Sequence, residues 1–254
     1  MKEGIYEQVI NEELEKNLDN SIYFIDKRKM TSDNAKNLLT DYLKDITKKA
    51  LDHIEELDSD IDENEYLLKE ISICNDILEL LREKLSFDEY KDLNISDSAE
   101  VLQYAYKKMN NSYFNGNIVR PITSLVEPRL FTNSKSDISL TSELSKEILS
   151  CDEVCLLVSF IRMSGINPLL PAIKEFTSTG KKVKIITTTY MQATQLNAVK
   201  ILANIPNVEI KISYNIEKTR LHAKAYIFKR NNGFSTFYIG SSNLSSAALN
   251  YGSE

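Results

Sequence analysis

The fold class that this 254-residue sequence predicts is an all-α helical N-terminal domain followed by an α/β domain, with a mostly parallel central sheet and flanking helices. Three observations lead there. No glycine occurs between Gly4 and Gly116, which favours helices over hairpins in that part. Apolar residues among the first hundred positions recur at helical spacing. Beyond residue 150, short continuous apolar runs alternate with helix-like stretches, the pattern of strands joined by crossovers and buried on both faces.

In chain order, Tyr6, Val9, Ile10 and Leu14 mark a first helix, and Leu39, Leu43, Ile46, Ala50 and Ile54 a second. Tyr66, Cys74, Ile77, Leu81 and Leu85 mark a third. Asp97 with Glu100 reads as a capping box for a fourth, running from Val101 to Met109. Residues 110–136, NNSYFNGNIVRPITSLVEPRLFTNSKS, break the helical period with asparagines, a glycine and two prolines, so they read as a connector or extended arm. The predicted domains are therefore 1–115, helical; 116–136, connector; and 137–254, α/β. Within the last, 153–160 is a strand and 167–178 a helix with Pro168 near its first turn and Gly180 past its end. Strands at 183–188 and 208–213 bracket a helix at 194–203. A closing hairpin, 222–228 and 236–240, turns through Asn232-Gly233.

Composition is ordinary for a globular protein, 42% hydrophobic and 27% charged, and no apolar run approaches the roughly 20 residues of a membrane-spanning helix. The start, MKEGIYEQVINEELEK, is acidic and amphipathic, which is not a signal peptide. Cys151 and Cys155 have no second cysteine pair or nearby histidine, so with Cys74 they read as free thiols, not zinc ligands, and a cytoplasmic setting is expected. The net charge of −6 conceals an asymmetry. Residues 1–100 carry 13 Lys and Arg against 27 Asp and Glu, whereas residues 101–254 carry 18 against 10. The basic half suits a polyanionic substrate; two solvated faces of different sign explain the numbers equally well.

The chain has two histidines. His53 lies in the second helix beside Glu55 and Glu56 and reads as a solvated group. His222 is different. Side chains alternate along a strand, so His222, Lys224 and Tyr226 share one face. The strand thus presents a nucleophilic imidazole together with a fixed cation for a phosphate oxygen. Gly240-Ser241-Ser242-Asn243 then ends the next strand at a tight turn, where small residues let backbone N–H groups, a hydroxyl and an amide approach an anion. His-x-Lys alone occurs by chance in many chains, and Gly-Ser-Ser-Asn alone is a common strand-to-helix turn with an N-cap asparagine. Both on neighbouring strands make a half-site for phosphoryl chemistry. Arg162, with Ser159 and Ser164, falls at the carboxyl end of the first strand, the usual mouth of an open α/β sheet. There it is a candidate phosphate ligand or a plain surface arginine. Thr188 and Tyr190 follow the second strand and line the same mouth. Lys181, Lys182 and Lys184 read as a solvated strand start or a track for a nucleic-acid backbone.

His222, Lys224, Gly240, Ser241 and Asn243 match, residue by residue, the H-x-K-x4-D-x6-G-S-x-N signature of the phospholipase D superfamily, which this sequence resembles. It departs from the signature twice. Lys229 stands at the aspartate position, and Gly240 follows Lys224 by sixteen residues instead of twelve. In the nuclease branch an acid after G-S-x-N stands in for that aspartate, and Glu254 occupies such a place. LFTNSKSDISLTSELSKEILSCDEVCLLVSFIRMSGI and KVKIITTTYMQATQ further resemble the phospholipase D-like module at the N-terminus of bacterial DEAD/DEAH-box helicases, well over 128–254. YEQVINEELEKNL extends the likeness loosely into the helical part.

The resemblance implies a metal-independent phosphodiesterase cutting DNA, or RNA, through a phosphohistidine on His222. Lys224 and Asn243 would hold the non-bridging oxygens, Ser241 and Arg162 would assist at the phosphate, and Glu254 would orient the imidazole. No cofactor or metal is implied. It also implies ATP-dependent helicase domains in the same full-length chain, with the nuclease domain continuing past Glu254. No Gly-x4-Gly-Lys-Ser/Thr loop occurs in these residues, so an ATPase would lie elsewhere. One His-x-Lys per chain implies a homodimer sharing one active site. Two rival readings stand beside this: a nucleic-acid-binding or scaffolding module without turnover, and a lipid phosphodiesterase. The absence of a basic amphipathic helix or apolar anchor weighs against the latter and against a membrane partner.

Overall fold

The computed structural model describes residues 5–19, 21–22, 24–57, 62–85, 92–106, 118–132, 138–215 and 221–245. The chain divides into two compact units, Met1–Asn110 and Asn111–Glu254.

The first unit holds α1 (Glu12–Asn17), α2 (Ser32–Leu57) and α3 (Glu63–Leu85). Asn11 caps α1 by accepting the Leu14 N–H at 2.8 Å. The helical period extends N-terminally to Tyr6, but the helix begins only at Glu12. α2 and α3 pack on each other, yet Ile71 is the one apolar side chain buried among the described residues of this unit. The fourth helix does not form where it is described: 101–106 are non-helical, while 107–109 lie outside the described residues. The segment before it is tied to α3, and its first turn is broken at Ala99. Asn75 on α3 donates to the Ile95 carbonyl (3.1 Å) and accepts its N–H (2.8 Å), and Arg82 donates to Asn94 Oδ1 (2.7 Å). These hold the chain extended, and Ala99 then takes a left-handed φ of 53° where a capping box would need helical backbone.

The second unit is a five-stranded sheet of β1 (Glu153–Val158), β2 (Lys182–Thr188), β3 (Val208–Ser213), β4 (Lys224–Lys229) and β5 (Thr236–Ile239), in the order β3-β2-β1-β4-β5. The parallel pairs are β1/β2 and β2/β3; β4 runs antiparallel to both β1 and β5. The sheet is therefore mixed, with two parallel and two antiparallel neighbours, and not mostly parallel as expected. The reason is the length of the link: ten residues separate Ser213 from Lys224, short of the dozen or more that a parallel crossover takes, so β4 joins β1 in the opposite direction.

Among its described residues, four α-helices serve this unit: α4 (Leu140–Ser150), α5 (Met163–Ile166), α6 (Leu170–Ser178) and α7 (Leu196–Ala203). The helix expected over 167–178 is α6, which starts only at Leu170, and the short α5 precedes it. One sheet face carries the core. Val154, Leu156 and Val158 of β1, Val183 and Ile185 of β2, and Tyr226 and Phe228 of β4 are buried with Leu144, Ile148, Ile173, Phe176, Ala198 and Leu202 from the helices. On the other face Cys155, Leu157, Ile186, Ala225, Ile227, Phe237 and Ile239 are none of them buried. Cys151 is fully buried, and burial pushes its thiol up to about 12. No described helix is long and apolar enough to cross a membrane.

α4 fastens the hairpin through charge. Arg230, just past β4, donates to Glu147 Oε2 at 2.5 Å and to the Ser150 hydroxyl at 2.8 Å. Thr236 and Tyr238 of β5 also donate to Glu147, each at 2.8 Å. Both ionic side chains are almost completely buried, so each charge is matched by bonds on several sides. One turn earlier, Glu143 accepts the N–H (2.8 Å) and hydroxyl (2.6 Å) of Thr123, which ties the arm to the sheet.

Candidate active site

The site sits where strand ends converge. Because β4 is antiparallel to β1, the start of β4 lies beside the carboxyl end of β1, with Lys224 opposite Val158. The alternation expected from the sequence holds: Lys224, Tyr226, Phe228 and Arg230 are buried on one face, and His222 extends the series as the exposed member. Lys224 is only 7% exposed, and its Nζ lies 3.1 Å from both Nδ1 and Nε2 of His222 and 3.0 Å from the His222 carbonyl. The cation thus lies against the imidazole, equally close to its two ring nitrogens. Ser159 steadies this segment by donating to the Ala223 carbonyl at 3.3 Å.

Asn243 reaches the same edge from β5. Its Oδ1 accepts the Phe160 N–H at 3.2 Å. An N–H donor can only meet the amide oxygen, so the orientation of the amide is fixed and its NH2 is the end left to donate to an anion. Three further contacts seat the loop. Tyr226 donates to the Ser242 carbonyl at 2.9 Å, the Arg162 N–H to the Leu244 carbonyl at 2.9 Å, and Ile161 bridges to Leu244. Gly165 allows this approach, since a Cβ there would stand 2.1 Å from the Leu244 carbonyl carbon.

His222, Lys224, Ser241, Asn243 and Arg162 are therefore gathered along one edge of the sheet. Ser241 and Arg162 are exposed, with the Arg162 guanidinium 5.5 Å from the Phe160 ring centre. Glu254 and the turn expected to open a helix after Asn243, from 246 onward, lie outside the described residues. Thr188 is buried and donates to the Ser213 carbonyl at 3.0 Å, so it shapes the mouth without facing it. Lys181, Lys182 and Lys184 start β2 and so lie at the opposite end of the sheet. Lys181 donates to the Cys151 carbonyl at 2.6 Å, and Lys184 pairs with Glu153 at 2.8 Å. His53 is an exposed residue of α2 in the first unit. The roles of Phe160 and Gly165 were not legible in the sequence, whereas Tyr226 was placed there on the His222 face without its bond to the Ser242 carbonyl.

Lys229, at the aspartate position of the signature, ends β4 far from His222. It pairs with Glu153 at 2.7 Å, across β1 in register. Lys184 and then Lys229 hold the Glu153 carboxyl down to about 2. The site is an open edge and not a pocket. A cleft of about 610 Å³ beside β5 reaches it only at Gly240–Ser242 and is not lined by His222, Lys224 or Asn243. Among the described residues, no group of three or more His, Cys, Asp or Glu side chains converges as a metal site would.

A mixed sheet whose edge carries one His-x-Lys and one Gly-Ser-x-Asn defines the class. A family model described as the NgoFVII restriction endonuclease N-terminal PLD domain matches residues 138–254. Those residues are a phospholipase D superfamily domain of the nuclease kind. Among solved structures, NucT from Helicobacter pylori is similar at 21% identity over 44% of this chain and 70% of that chain, with a TM-score of 0.33. No curated protein matches the chain.

Proposed function

We propose that the domain is a metal-independent phosphodiesterase that cleaves DNA through a phosphohistidine on His222. The observation that carries this reading is the Lys224 ammonium lodged 3.1 Å from both ring nitrogens of an exposed histidine. That contact puts a fixed positive charge where a phosphate presented to the imidazole would develop negative charge. A ring nitrogen of His222 bonds to phosphorus as the bond to the leaving oxygen breaks. Lys224 and the Asn243 NH2 hold the non-bridging oxygens, Ser241 and Arg162 contribute at the rim, and Glu254 orients the imidazole.

The leaving oxygen needs a proton from the far side of phosphorus. The described residues place one histidine at this edge, so the acid is His222 of the partner subunit in a two-fold homodimer. Water then attacks phosphorus, gives its proton to that same imidazole, and the N–P bond breaks. The resemblance noted above supports helicase domains elsewhere in the full chain, and the restriction endonuclease named by the matching family supports DNA as the substrate.

Labelled DNA incubated with excess chelator tests the reaction: cutting should persist and should vanish in His222→Ala. Strict dependence on added divalent metal would refute the mechanism. The protein should run at about twice its 29.0 kDa mass. Dimers mixed from wild type and His222→Ala should be nearly inactive, and mixed dimers that keep half the activity would refute the shared site. The second reading, a nucleic-acid-binding module without turnover, is favoured by the departure at Lys229. DNA bound but uncut by wild type and mutant alike would establish it.

A further inference from the structure

We infer that the strand delivered to His222 is single-stranded nucleic acid, laid across the carboxyl ends of β3, β2 and β1 with bases stacked on Tyr214 and packed against Met191; this rests on the nuclease reading above. The order of strands sets the geometry. Along the site edge come Tyr214 after β3, Tyr190 and Met191 after β2, Phe160 and Arg162 after β1, His222 before β4, and Ser241 after β5. Adjacent strands lie about 4.8 Å apart, so Tyr214 stands three spacings, about 14 Å, from His222. That is a span of a few nucleotides.

Two features of this edge do nothing for folding. Tyr214 is 73% exposed and Met191 76% exposed, both beside an α/β core that could have covered them. Met191 is also held out on strained backbone. Met191 and Gln192 have φ of 58° and 52°, a left-handed conformation that non-glycine residues adopt at a cost and that clusters at functional sites. Local bonds lock the turn: Thr194 donates to the Thr188 carbonyl at 2.7 Å, and the Tyr190 N–H to the Thr188 hydroxyl at 3.2 Å.

Charge agrees. The segments that reach this edge, 159–166, 188–195, 213–215, 221–224 and 240–245, contain no aspartate or glutamate, and they carry Arg162, His222 and Lys224. At the other end of the same sheet Asp152 and Glu153 answer the lysines. An edge whose described segments carry cations and no acid, with exposed flat or soft apolar groups leading to the reacting phosphate, is a stacking platform beside a backbone clamp. Stacking of this kind needs unpaired bases, because a duplex keeps its base faces against each other.

Fluorescence anisotropy with the full chain carrying His222→Ala, which binds without cutting, reads the inference directly. The probes are a labelled 20-nucleotide single strand and its duplex. The single strand should bind more tightly. Tyr214→Ala should weaken it by about 5- to 150-fold, the range of one lost aromatic stack, while leaving the duplex unaffected. Tyr214→Phe, which keeps the ring, should restore single-strand binding. Circular dichroism of each variant confirms folding. Duplex bound as tightly as single strand, or single-strand affinity unchanged in Tyr214→Ala, would overturn the platform. Cleavage of duplex by wild type would show in that event that the nuclease reading survives. Protein that neither binds nor cuts either probe would sink both.

Discussion

Replacing Gly165 with alanine puts a methyl group where the chain already runs. The added Cβ would stand 2.1 Å from the Leu244 carbonyl carbon, 2.2 Å from its oxygen and 2.3 Å from the Ser245 nitrogen. All three are backbone atoms, so no side chain can swing away. Ordinary contact begins at 3.4 Å, which means that the loop or α5 must retreat by about 1.3 Å. That movement strains the Arg162–Leu244 hydrogen bond and the Ile161–Leu244 bridge, and it carries along Asn243, the next residue upstream. Overpacking of this kind costs about 1–3 kcal/mol, and helix propensity, which favours alanine by about 1 kcal/mol, works against it. The net loss is then up to about 2 kcal/mol, which would lower Tm by up to about 4–8 °C for a chain of this size. The effect on cleavage should be larger than stability alone suggests, because a misplacement of about 1 Å in a positioning group costs on the order of 100-fold in rate. Differential scanning fluorimetry and single-turnover cleavage at a temperature where the variant is folded separate the two. A variant with wild-type Tm and wild-type rate would refute both the tight approach and the role given to Asn243.

Asn243→Asp keeps an acceptor for the Phe160 N–H but removes the NH2 and adds a negative charge beside the phosphate. Cleavage should fall about 100- to 1,000-fold while Tm barely moves. Arg230→Ala strands the buried Glu147 carboxylate with only Thr236 and Tyr238 as donors. Urea unfolding should show a loss of about 3–5 kcal/mol. Glu153 is held below its ordinary value by Lys184 and Lys229. Its contribution is therefore present above pH 4.5 and is lost as the pH falls from there toward about 2. Glu153→Gln should flatten the acid limb of a Tm-against-pH curve over that window and leave cleavage at neutral pH unchanged.

The five strands were legible because each is a short apolar run between turn signals, and Asn232-Gly233 marked the hairpin, with Gly233 at a φ of 93°. The direction in which β4 joins the sheet was not legible, because no local pattern says which side of β1 the returning chain takes. α4 escaped for a related reason. Its buried face alternates Leu140, Leu144 and Ile148 with Glu143 and Glu147, and a buried carboxylate looks like a surface residue until Thr123 and Arg230 are seen meeting it. The supposed fourth helix failed at Ala99, whose left-handed φ of 53° falls in what would be its first turn. In the site, His222, Lys224 and Asn243 could be read because two short motifs lie on the two strands of one hairpin. Phe160, Tyr226 and Gly165 act on residues sixteen to eighty-three positions away, through backbone groups that carry no identity in the sequence.

Lys229 gives the signature itself a different meaning. Written as a string, H-x-K-x4-D spaces its acid from its lysine along one strand, so a lysine in that place looks like the loss of a functional group. In three dimensions the position is the far end of β4, about 17 Å from Lys224 at strand rise, and its neighbour is Glu153 on the adjoining strand. In this chain that location holds one charge of each sign, Lys229 on β4 and Glu153 on β1. Lys229→Asp would restore the letter and set two carboxylates against each other, leaving Lys184 as the one cation on Glu153. The position therefore serves the cross-strand pairing of β4 with β1 and not the chemistry at His222.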